Sequence, residues 1–180
     1  IFFPLMKACH EAGAVCTHSP GVYATPIAQY CIGHMISIAR LSKEHAANQE
    51  ARKYVSLVQR DLRACTVGIV GAGGIGSELA RLSKALGMGT IGWRRQAAPA
   101  PNFDEVLSGS GGLASLLSRA DFVVVAVPKT PATEGLIGAD QFAQNIALFS
   151  KCCIFAAGFY RNQRLLNRER GGRLAGHFDP

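Results

Sequence analysis

Short apolar runs alternate with segments of helical period from residue 66 onward. The runs are rich in β-branched residues and predict strands over 66–70, 90–93, 122–127 and 152–157. Between them, apolar residues recur at helical spacing and predict helices over 75–86, 113–117 and 142–149. Strands without polar interruption are typical of parallel sheets that are buried on both faces. The order β-α-β-α-β-α-β therefore predicts an α/β fold, a doubly wound parallel sheet.

A long helix is predicted before this region. Thr25 and Pro26 predict its start, with the threonine hydroxyl as N-cap and the proline in the first helical position. It is expected to extend to Leu41 and is apolar on most sides, with one stripe formed by Ile27, Cys31, Met35, Ile38 and Leu41. Such a helix is buried between layers or between subunits. His34 lies within it and is interpreted as a packed interfacial histidine, because a catalytic histidine in a helix needs a partner.

Two other segments border this helix. Residues 5–17 predict a short helix, a turn at Gly13 and a short strand over 14–16. Residues 43–60 are polar and compatible with helix, and they are interpreted as a solvated connection.

Residues 71–76, Gly-Ala-Gly-Gly-Ile-Gly, join the first predicted strand to the next helix. Glycine-rich turns are common, but this one has an apolar strand before it and an amphipathic helix after it. In a dinucleotide-binding loop, Gly71 permits the tight turn, Gly73 lets the backbone approach a pyrophosphate, and Gly76 lets the helix pack on the strand.

The amides near Gly74 and Ile75 lie at the predicted helix start, where partial positive charge favours an anion. We therefore predict a Rossmann-type dinucleotide-binding domain. A structural turn without a ligand is the alternative interpretation.

The dipeptide Arg94-Arg95 follows the second predicted strand. An NAD-specific domain places an Asp or Glu near this point to bind the ribose 2′-hydroxyl. Here the next acidic residue is Asp104. A carboxylate would repel a 2′-phosphate, whereas guanidinium groups bind it with bidentate geometry. The pair therefore predicts NADP as the cofactor, with NAD as the alternative. Arginines that are only solvated surface charges are the other interpretation.

Composition limits the remaining function classes. The hydrophobic fraction of 48% is enough for a packed core. The formal net charge is +7, but no recognition helix, RNA-binding aromatic signature or zinc-finger spacing accompanies it, so no nucleic-acid partner is predicted. The apolar first residues are too few for a membrane span, and no membrane partner is predicted.

Six cysteines are spread along the chain without C-x-x-C spacing, and no histidine cluster accompanies them. No metal site is therefore predicted. In a chain of this size they indicate reduced, buried thiols and a cytoplasmic location. The vicinal pair Cys152-Cys153 is interpreted as core packing, with redox activity as the alternative.

Three motifs in order resemble the D-isomer-specific 2-hydroxyacid dehydrogenases. Residues 21–30 resemble their connecting helix, 66–93 their NAD(P)-binding core, and 120–137 their third strand and the following loop. The resemblance covers about residues 5–144, and the arginine pair makes glyoxylate/hydroxypyruvate reductases the nearest functional analogy. It implies an NADP-dependent oxidoreductase that moves a hydride between the nicotinamide and C2 of a 2-keto or 2-hydroxy acid. It also implies a homodimer, with helix 26–41 at the interface.

The resemblance also implies roles for residues beyond the glycine loop. It places Pro128 and Thr133 beside the cofactor. Residues 172–179 resemble a helix turn that leads into a strand ending in Asp, so Asp179 would face the nicotinamide carboxamide.

The family's fourth strand ends in a hydrophobic-Asn-x-x-Arg-Gly pattern, whose Arg holds the substrate carboxylate and polarises the keto oxygen. Alignment from Lys151 puts Arg161 on this catalytic Arg. Alignment on Ile154-Phe155 puts Phe159 there and leaves no catalytic Arg. Both alternatives stay open, because residues 145–171 match the family poorly.

The resemblance implies that residues 1–20 are a remnant of a substrate domain. Residues 21–180 are then the connecting helix and the NAD(P)-binding domain, truncated at its end. The family's acid–base His and its Glu would follow Pro180, so this chain alone is expected to bind cofactor without turnover. A dinucleotide-sensing protein of the corepressor type and a catalytically inactive remnant are the alternatives.

Overall fold

The computed structural model describes residues 2–15, 21–96, 98–128, 130–138, 141 and 152–155. Its helices are α1 (Phe2–Glu11), α2 (Ala24–Ala39), α3 (Ser42–Glu50), α4 (Gly74–Ala85) and α5 (Gly109–Arg119). Its strands are β1 (Thr66–Val70), β2 (Gly89–Trp93), β3 (Glu105–Leu107), β4 (Phe122–Val125) and β5 (Cys152–Phe155).

The five strands form one parallel sheet in the order β3-β2-β1-β4-β5. Val70 at the end of β1 stands opposite Trp93 of β2 and Val125 of β4, so three strands end level with one another. The strand order reverses between β1 and β4. Sheets of this kind bind ligands at the carboxyl edge beside such a reversal.

Helices cover both faces of the sheet. On one face, α2 and α4 pack on β1 and β4 in a cluster that includes Cys31, Met35, Val67, Ile69, Leu79, Phe122 and Val124. On the other face, α5 packs on β1, β2 and β4 in a cluster that includes Val70, Ile91, Trp93, Leu113, Leu116, Leu117, Val123 and Val125. The alternation of neighbouring strand residues between the two clusters confirms the predicted doubly wound α/β fold.

Helix α2 starts differently from the prediction. It begins at Ala24, after Tyr23, and no side chain caps it. The predicted Thr25 cap is therefore wrong: its hydroxyl donates to Glu78 Oε1 on α4 at 3.4 Å. Pro26 lies third in the helix, where its missing N–H costs nothing because the whole first turn lacks intrahelical acceptors.

The buried stripe of α2 is narrower than its apolar sequence indicated. Its fully buried residues are Ala28, Cys31, Met35 and Ala39. Ile38, which was predicted in the stripe, is 38% exposed, and Ile36 is 39% exposed. Ala28 and Ala39 belong to the core cluster that α2 forms with α4 and the sheet, and Ile27 and Ile32 pack against it, whereas Ile36 and Ile38 lie outside it.

The chain between α2 and the sheet also differs from the prediction. Leu41 has φ +53°, a left-handed conformation, so α2 ends at Ala39 and α3 starts separately. After α3, residues 53–60 form a connection without helix. Near the start, Ala14 and Val15 are not in a strand, because no neighbouring strand pairs with them among the described residues.

Strand β3 was missed by the sequence analysis. It has three half-buried residues and, among the described strands, pairs only with β2, with Val106 opposite Gly92 and Leu107 opposite Trp93. So short an edge strand leaves no apolar run to detect.

The other predicted elements are close to those observed. Helix α4 ends at Ala85, one residue before its predicted end, and Gly87 follows it with φ +76°. The third predicted strand is β4 and ends two residues early, and β5 covers the first part of the fourth. The predicted helix 142–149 lies outside the described residues.

Gly68 sets the distance between β1 and α5. A Cβ at this position would stand 2.5 Å from Leu116 Cδ2 and 2.8 Å from Ala120 Cβ. We expect Gly68→Ala to destabilise the fold by about 1–3 kcal/mol, the usual cost of overpacking a core. Chemical denaturation followed by circular dichroism measures this.

Gly111→Ala in α5 is the matched control, because a Cβ there would meet nothing within 4 Å. It is expected to stabilise the helix by about 0.5–1 kcal/mol. Equal stability of the two variants would contradict the packing role of Gly68.

Candidate dinucleotide-binding site

The glycine loop begins where β1 ends, at the carboxyl edge. Gly71 has φ +113°, and a Cβ on it would stand 2.7 Å from the Ala126 carbonyl oxygen. Its amide donates to the Trp93 carbonyl at 2.8 Å. The loop is therefore wedged between the ends of β2 and β4, and only glycine fits at its first position.

Gly76 allows α4 to approach the strand. A Cβ there would stand 2.0 Å from the Gly71 carbonyl oxygen, which no side chain tolerates. The residue is buried in the first turn of α4. Because Gly76 has no side chain, α4 can lie directly against the Gly71 carbonyl, and this contact sets the position of the helix relative to the loop.

Gly73 and Gly74 have no such packing role. A Cβ on either would meet nothing within 4 Å, and both residues are exposed. Gly73 precedes α4 in extended conformation, φ −88°, and no side chain caps the helix. The first intrahelical bond runs from the Ser77 amide to the Gly73 carbonyl, 2.8 Å, so the Gly74, Ile75 and Gly76 amides have no intrahelical acceptor.

This arrangement fits a pyrophosphate. The space beside Gly73 and Gly74 is open, and packing within the fold does not require glycine at either position. Both residues lie at the N-terminus of α4, which no side chain caps. Backbone amides and the helix dipole there favour a negative charge.

The predicted arginine pair lies on the same edge. The Arg94 amide donates to the Leu107 carbonyl at 3.0 Å, which continues the pairing of β2 with β3. Its Nη2 donates to the Ala98 carbonyl at 2.9 Å, while Arg95 is exposed. The Gly71–Trp93 hydrogen bond joins the glycine loop to the strand end that carries the pair.

The nearest acids along the chain are directed away from this pair. The Asp104 carboxylate accepts from the Thr90 amide at 2.8 Å, near the start of β2, and also pairs with Lys84. Lys84 and the Thr90 amide hold the pKa of the Asp104 carboxyl below its usual value. Glu105 pairs with Arg119 at 2.6 Å. Both negative charges are thus compensated elsewhere.

The loop after β4 contains the next two predicted site residues. Pro128 is exposed and Thr133 is half-buried. The Thr133 hydroxyl donates to the Pro128 carbonyl at 2.5 Å and accepts from the Thr130 amide at 2.9 Å. Thr133 therefore shapes this loop, since its hydroxyl proton is already used.

Two other predicted site residues, Arg161 and Asp179, lie outside the described residues. His34 is exposed on α2, with its ring 4.3 Å from that of Tyr30. It is therefore an exposed surface histidine in this chain.

Glu78 was missed by the sequence analysis. It lies in the second turn of α4 and binds Arg81 through two contacts of 2.9 Å, and it also accepts from Thr25. The Arg81 guanidinium holds the pKa of the Glu78 carboxyl below its usual value. The i,i+3 spacing of the two charges was the available signal, but the contact with α2 needed the tertiary structure.

The model of the D-isomer specific 2-hydroxyacid dehydrogenase NAD-binding domain matches residues 32–146, more than half of the chain. The chain belongs to the D-isomer specific 2-hydroxyacid dehydrogenase family. The matched range contains the glycine loop, the arginine pair and the loop after β4.

Relatives within this dehydrogenase family differ in cofactor and substrate. D-3-phosphoglycerate dehydrogenase 2 of Saccharomyces cerevisiae is 31% identical over 140 residues, which are 77% of this chain and 29% of the yeast protein. A D-2-hydroxyacid dehydrogenase (NAD(+)) of Clostridioides difficile is 27% identical and covers 74% of this chain and 41% of that protein. The chain thus spans less than half the length of each.

A solved structure shows the same likeness. The NADPH-dependent glyoxylate/hydroxypyruvate reductase of Sinorhizobium meliloti, in complex with NADP and sulfate, superposes with a TM-score of 0.64 at 28% identity. The match covers 71% of this chain and 40% of the reductase.

None of the helices among the described residues is long and apolar enough to cross a membrane. No three His, Cys, Asp or Glu side chains in the same part of the chain come together as metal ligands would.

Substitutions at Gly73 and Gly76 test ligand binding and folding separately. We expect Gly73→Val to retain the fold but to abolish NADPH binding, because its side chain would fill open space that only a ligand needs. NADPH fluorescence titration and a thermal melt measure the two effects.

Gly76→Ala is the companion variant and is expected to lose both stability and binding, since its Cβ would collide with backbone. Unchanged NADPH binding by a folded Gly73→Val protein would contradict the assignment of the loop.

Proposed function

We propose that the protein is an NADP(H)-dependent oxidoreductase that transfers a hydride between the nicotinamide and C2 of a 2-keto or 2-hydroxy acid. The observation that carries this proposal is the combination of an open, uncapped phosphate loop with two arginines at the end of β2. The bound cofactor would supply the hydride chemistry. The chain's own contribution is binding and orientation.

The pyrophosphate contacts are assigned to the glycine loop. The amides of Gly74, Ile75 and Gly76 would donate to it, Gly73 would leave space for it, and Gly71 would hold the turn. The uncapped start of α4 supports this assignment.

Other contacts are assigned by likeness to the family. Pro128 and Thr133 would form the wall beside the cofactor, which is supported by the level ends of β1 and β4. Asp179 would face the nicotinamide carboxamide, and Arg161 would hold the substrate carboxylate.

The preference for NADP rests on Arg94 and Arg95. Their position at the end of β2 is where a domain that selects NAD carries an acid. The compensated charges of Asp104 and Glu105 support it further, because no described carboxylate from this part of the chain opposes a 2′-phosphate.

The placement of α2 supports a separate substrate domain before residue 21. Thr25 at the start of α2 contacts Glu78 close to the phosphate loop, so α2 starts near the carboxyl edge. None of the described side chains in residues 7–15 belongs to either core cluster. Residues 1–20 would thus belong to a lobe facing the cofactor, and 21–180 to the cofactor domain.

A homodimer and a cytoplasmic location complete the proposal. Apolar side chains left exposed by α2 and the connection, among them Tyr30, Ile36, Ile38 and Tyr54, support pairing with a second copy. Cys31 and Cys65 are free, buried thiols, and burial raises the pKa of Cys31 to about 11. Protonated packing thiols of this kind are typical of a reducing compartment.

Substitution of Arg94 by Asp tests the cofactor preference. Charge-assisted hydrogen bonds contribute about 1.5–3 kcal/mol each, roughly ten- to a hundredfold in affinity. The unchanged protein should bind NADPH more tightly than NADH, and the gap should narrow as salt rises. Arg94→Asp should reverse the order, because it removes an attraction and adds a repulsion.

Calorimetric titrations of both cofactors at low and high salt provide the measurement. Equal affinities for NADPH and NADH at low salt in the unchanged protein would mean that Arg94 and Arg95 are surface charges that do not bind the 2′-phosphate.

The substrate class is tested by turnover of the full-length protein that contains these residues. With NADPH, we expect faster reduction of glyoxylate or hydroxypyruvate than of the 3-phosphorylated analogue of hydroxypyruvate. Arg161→Ala should lower kcat/KM strongly without changing NADPH affinity, since the side chain is assigned to the substrate. A preference for the phosphorylated acid would instead place the protein with its phosphoglycerate dehydrogenase relatives.

A further inference from the structure

The pentapeptide Ala-Arg-Leu-Ser-Lys occurs twice in the chain, at residues 39–43 and 80–84. The second copy lies inside α4, which is helical without interruption from Gly74 to Ala85. The first copy ends α2 and begins α3, and Leu41 between the two helices has φ +53° and ψ +43°. The same five residues are thus helical in one place and broken in the other, so a contact elsewhere in the structure must select the break.

The break is unfavourable for the local backbone. A left-handed conformation is costly for leucine, whose Cβ crowds the following carbonyl. The Ser42, Lys43 and Glu44 amides lie in the first turn of α3 without intrahelical acceptors, and no side chain caps this helix. In an uninterrupted helix these three amides would donate to the carbonyls of residues 38–40.

Arg60 provides the contact that compensates for the break. Its amide donates to the Ala39 carbonyl at 2.9 Å, which is the acceptor that the Lys43 amide would use in an uninterrupted helix. Its Nη2 donates to Asp121 Oδ1 at 2.6 Å, and Asp121 Oδ2 accepts from the Thr66 amide at 2.8 Å. Arg60 therefore fastens the end of α2 to the sheet. We call its hydrogen bonds with Ala39 and Asp121 the Arg60 clasp.

Packing does not hold α3 in its place. None of its residues is buried, and neither core cluster contains a residue from 42–59. Side-chain nitrogens of His45 and Gln59, 2.8 Å apart, join α3 to the connection that follows it. The helix can therefore change direction without uncovering the core.

We propose that residues 40–42 are a hinge that the Arg60 clasp holds bent, and that α3 continues α2 as one helix when the clasp opens. The unbroken helix would give acceptors to the three amides and would release Leu41 from its left-handed conformation. Tyr54 and Val58 are 99% and 94% exposed in the connection after α3. The hinge therefore sets where these apolar side chains are presented on the surface.

Hydrogen exchange at individual amides tests the hinge in Arg60→Met, whose side chain keeps an apolar stem but cannot pair with Asp121. We expect exchange of the amides of residues 42–44 to be slower by at least about tenfold than in the unchanged protein, because they gain acceptors in the unbroken helix. A thermal melt of each variant shows that it is folded.

Arg63→Met is the matched control. Arg63 also pairs with a carboxylate, that of Asp61 at 2.6 Å, but this pair does not involve α2. Exchange at residues 42–44 should therefore stay as in the unchanged protein.

A second substitution at the hinge should reverse the effect. Glycine adopts a positive φ without strain and weakens a helix interior, so Leu41→Gly favours the bent form. When it is added to Arg60→Met, exchange at residues 42–44 should return towards that of the unchanged protein. A general loss of stability at Arg60 would not be reversed in this way.

Two outcomes in a folded Arg60→Met protein would overturn the proposal. One is unchanged exchange at residues 42–44. The other is faster exchange throughout α3 without slowing at 42–44, which would mean that the clasp only keeps α3 ordered. Should Arg60→Met fail to fold, Asp121→Asn decides, because its side-chain oxygen can still accept from the Thr66 amide while the charge of the pair is lost. The same slowing is expected there, and its absence would overturn the hinge.

Discussion

The close approach of α4 to the end of β1 is the constraint on which the rest of the structure depends. Gly76 brings the helix so near to the Gly71 carbonyl that a single methyl group would stand 2.0 Å from it. This contact fixes the helix axis, and with it the direction of the amides at the start of α4. The same contact positions α4 to receive α2, so the core on one face of the sheet also depends on it.

The distribution of charge at the two edges of the sheet follows from this architecture. Near the amino edge, acids are compensated: Asp121 accepts from the Thr66 amide at 2.8 Å and from Arg60 at 2.6 Å. Asp104 is likewise held at the start of β2. At the carboxyl edge lie the uncapped start of α4 and the end of β2, which the arginine pair follows. The fold therefore presents a positive edge to a ligand, which suits a phosphorylated dinucleotide.

Local sequence was sufficient for the central elements because their apolar runs are buried on both faces. Residues 66–70 and the glycine loop could be assigned from pattern and spacing. The positive φ of Gly71 and the contact of Gly76 with Gly71 are constraints within this strand-loop-helix unit, although Gly71 also lies against Ala126 at the end of β4. The short strand β3 could not, because its residues carry no apolar run and, of the described strands, it pairs only with the end of β2. The helix start at Thr25 was misplaced for a related reason: its hydroxyl bonds to Glu78, 53 residues away.

The sequence by itself determined the kind of fold, the place of the glycine loop and the presence of two arginines where an acid is usual. Each of these follows from residues close together in the chain, and the physical reasons are local ones, namely the hydrophobic period, the turn and the charge. Only the tertiary structure decided which face of α2 is buried, where the charge of Asp104 is compensated and how Arg94 differs from Arg95. The buried face of α2 depends on its packing with α4 and the sheet. The other two properties depend on contacts with Lys84, Thr90, Ala98 and Leu107, which sequence spacing does not place beside the residues they affect.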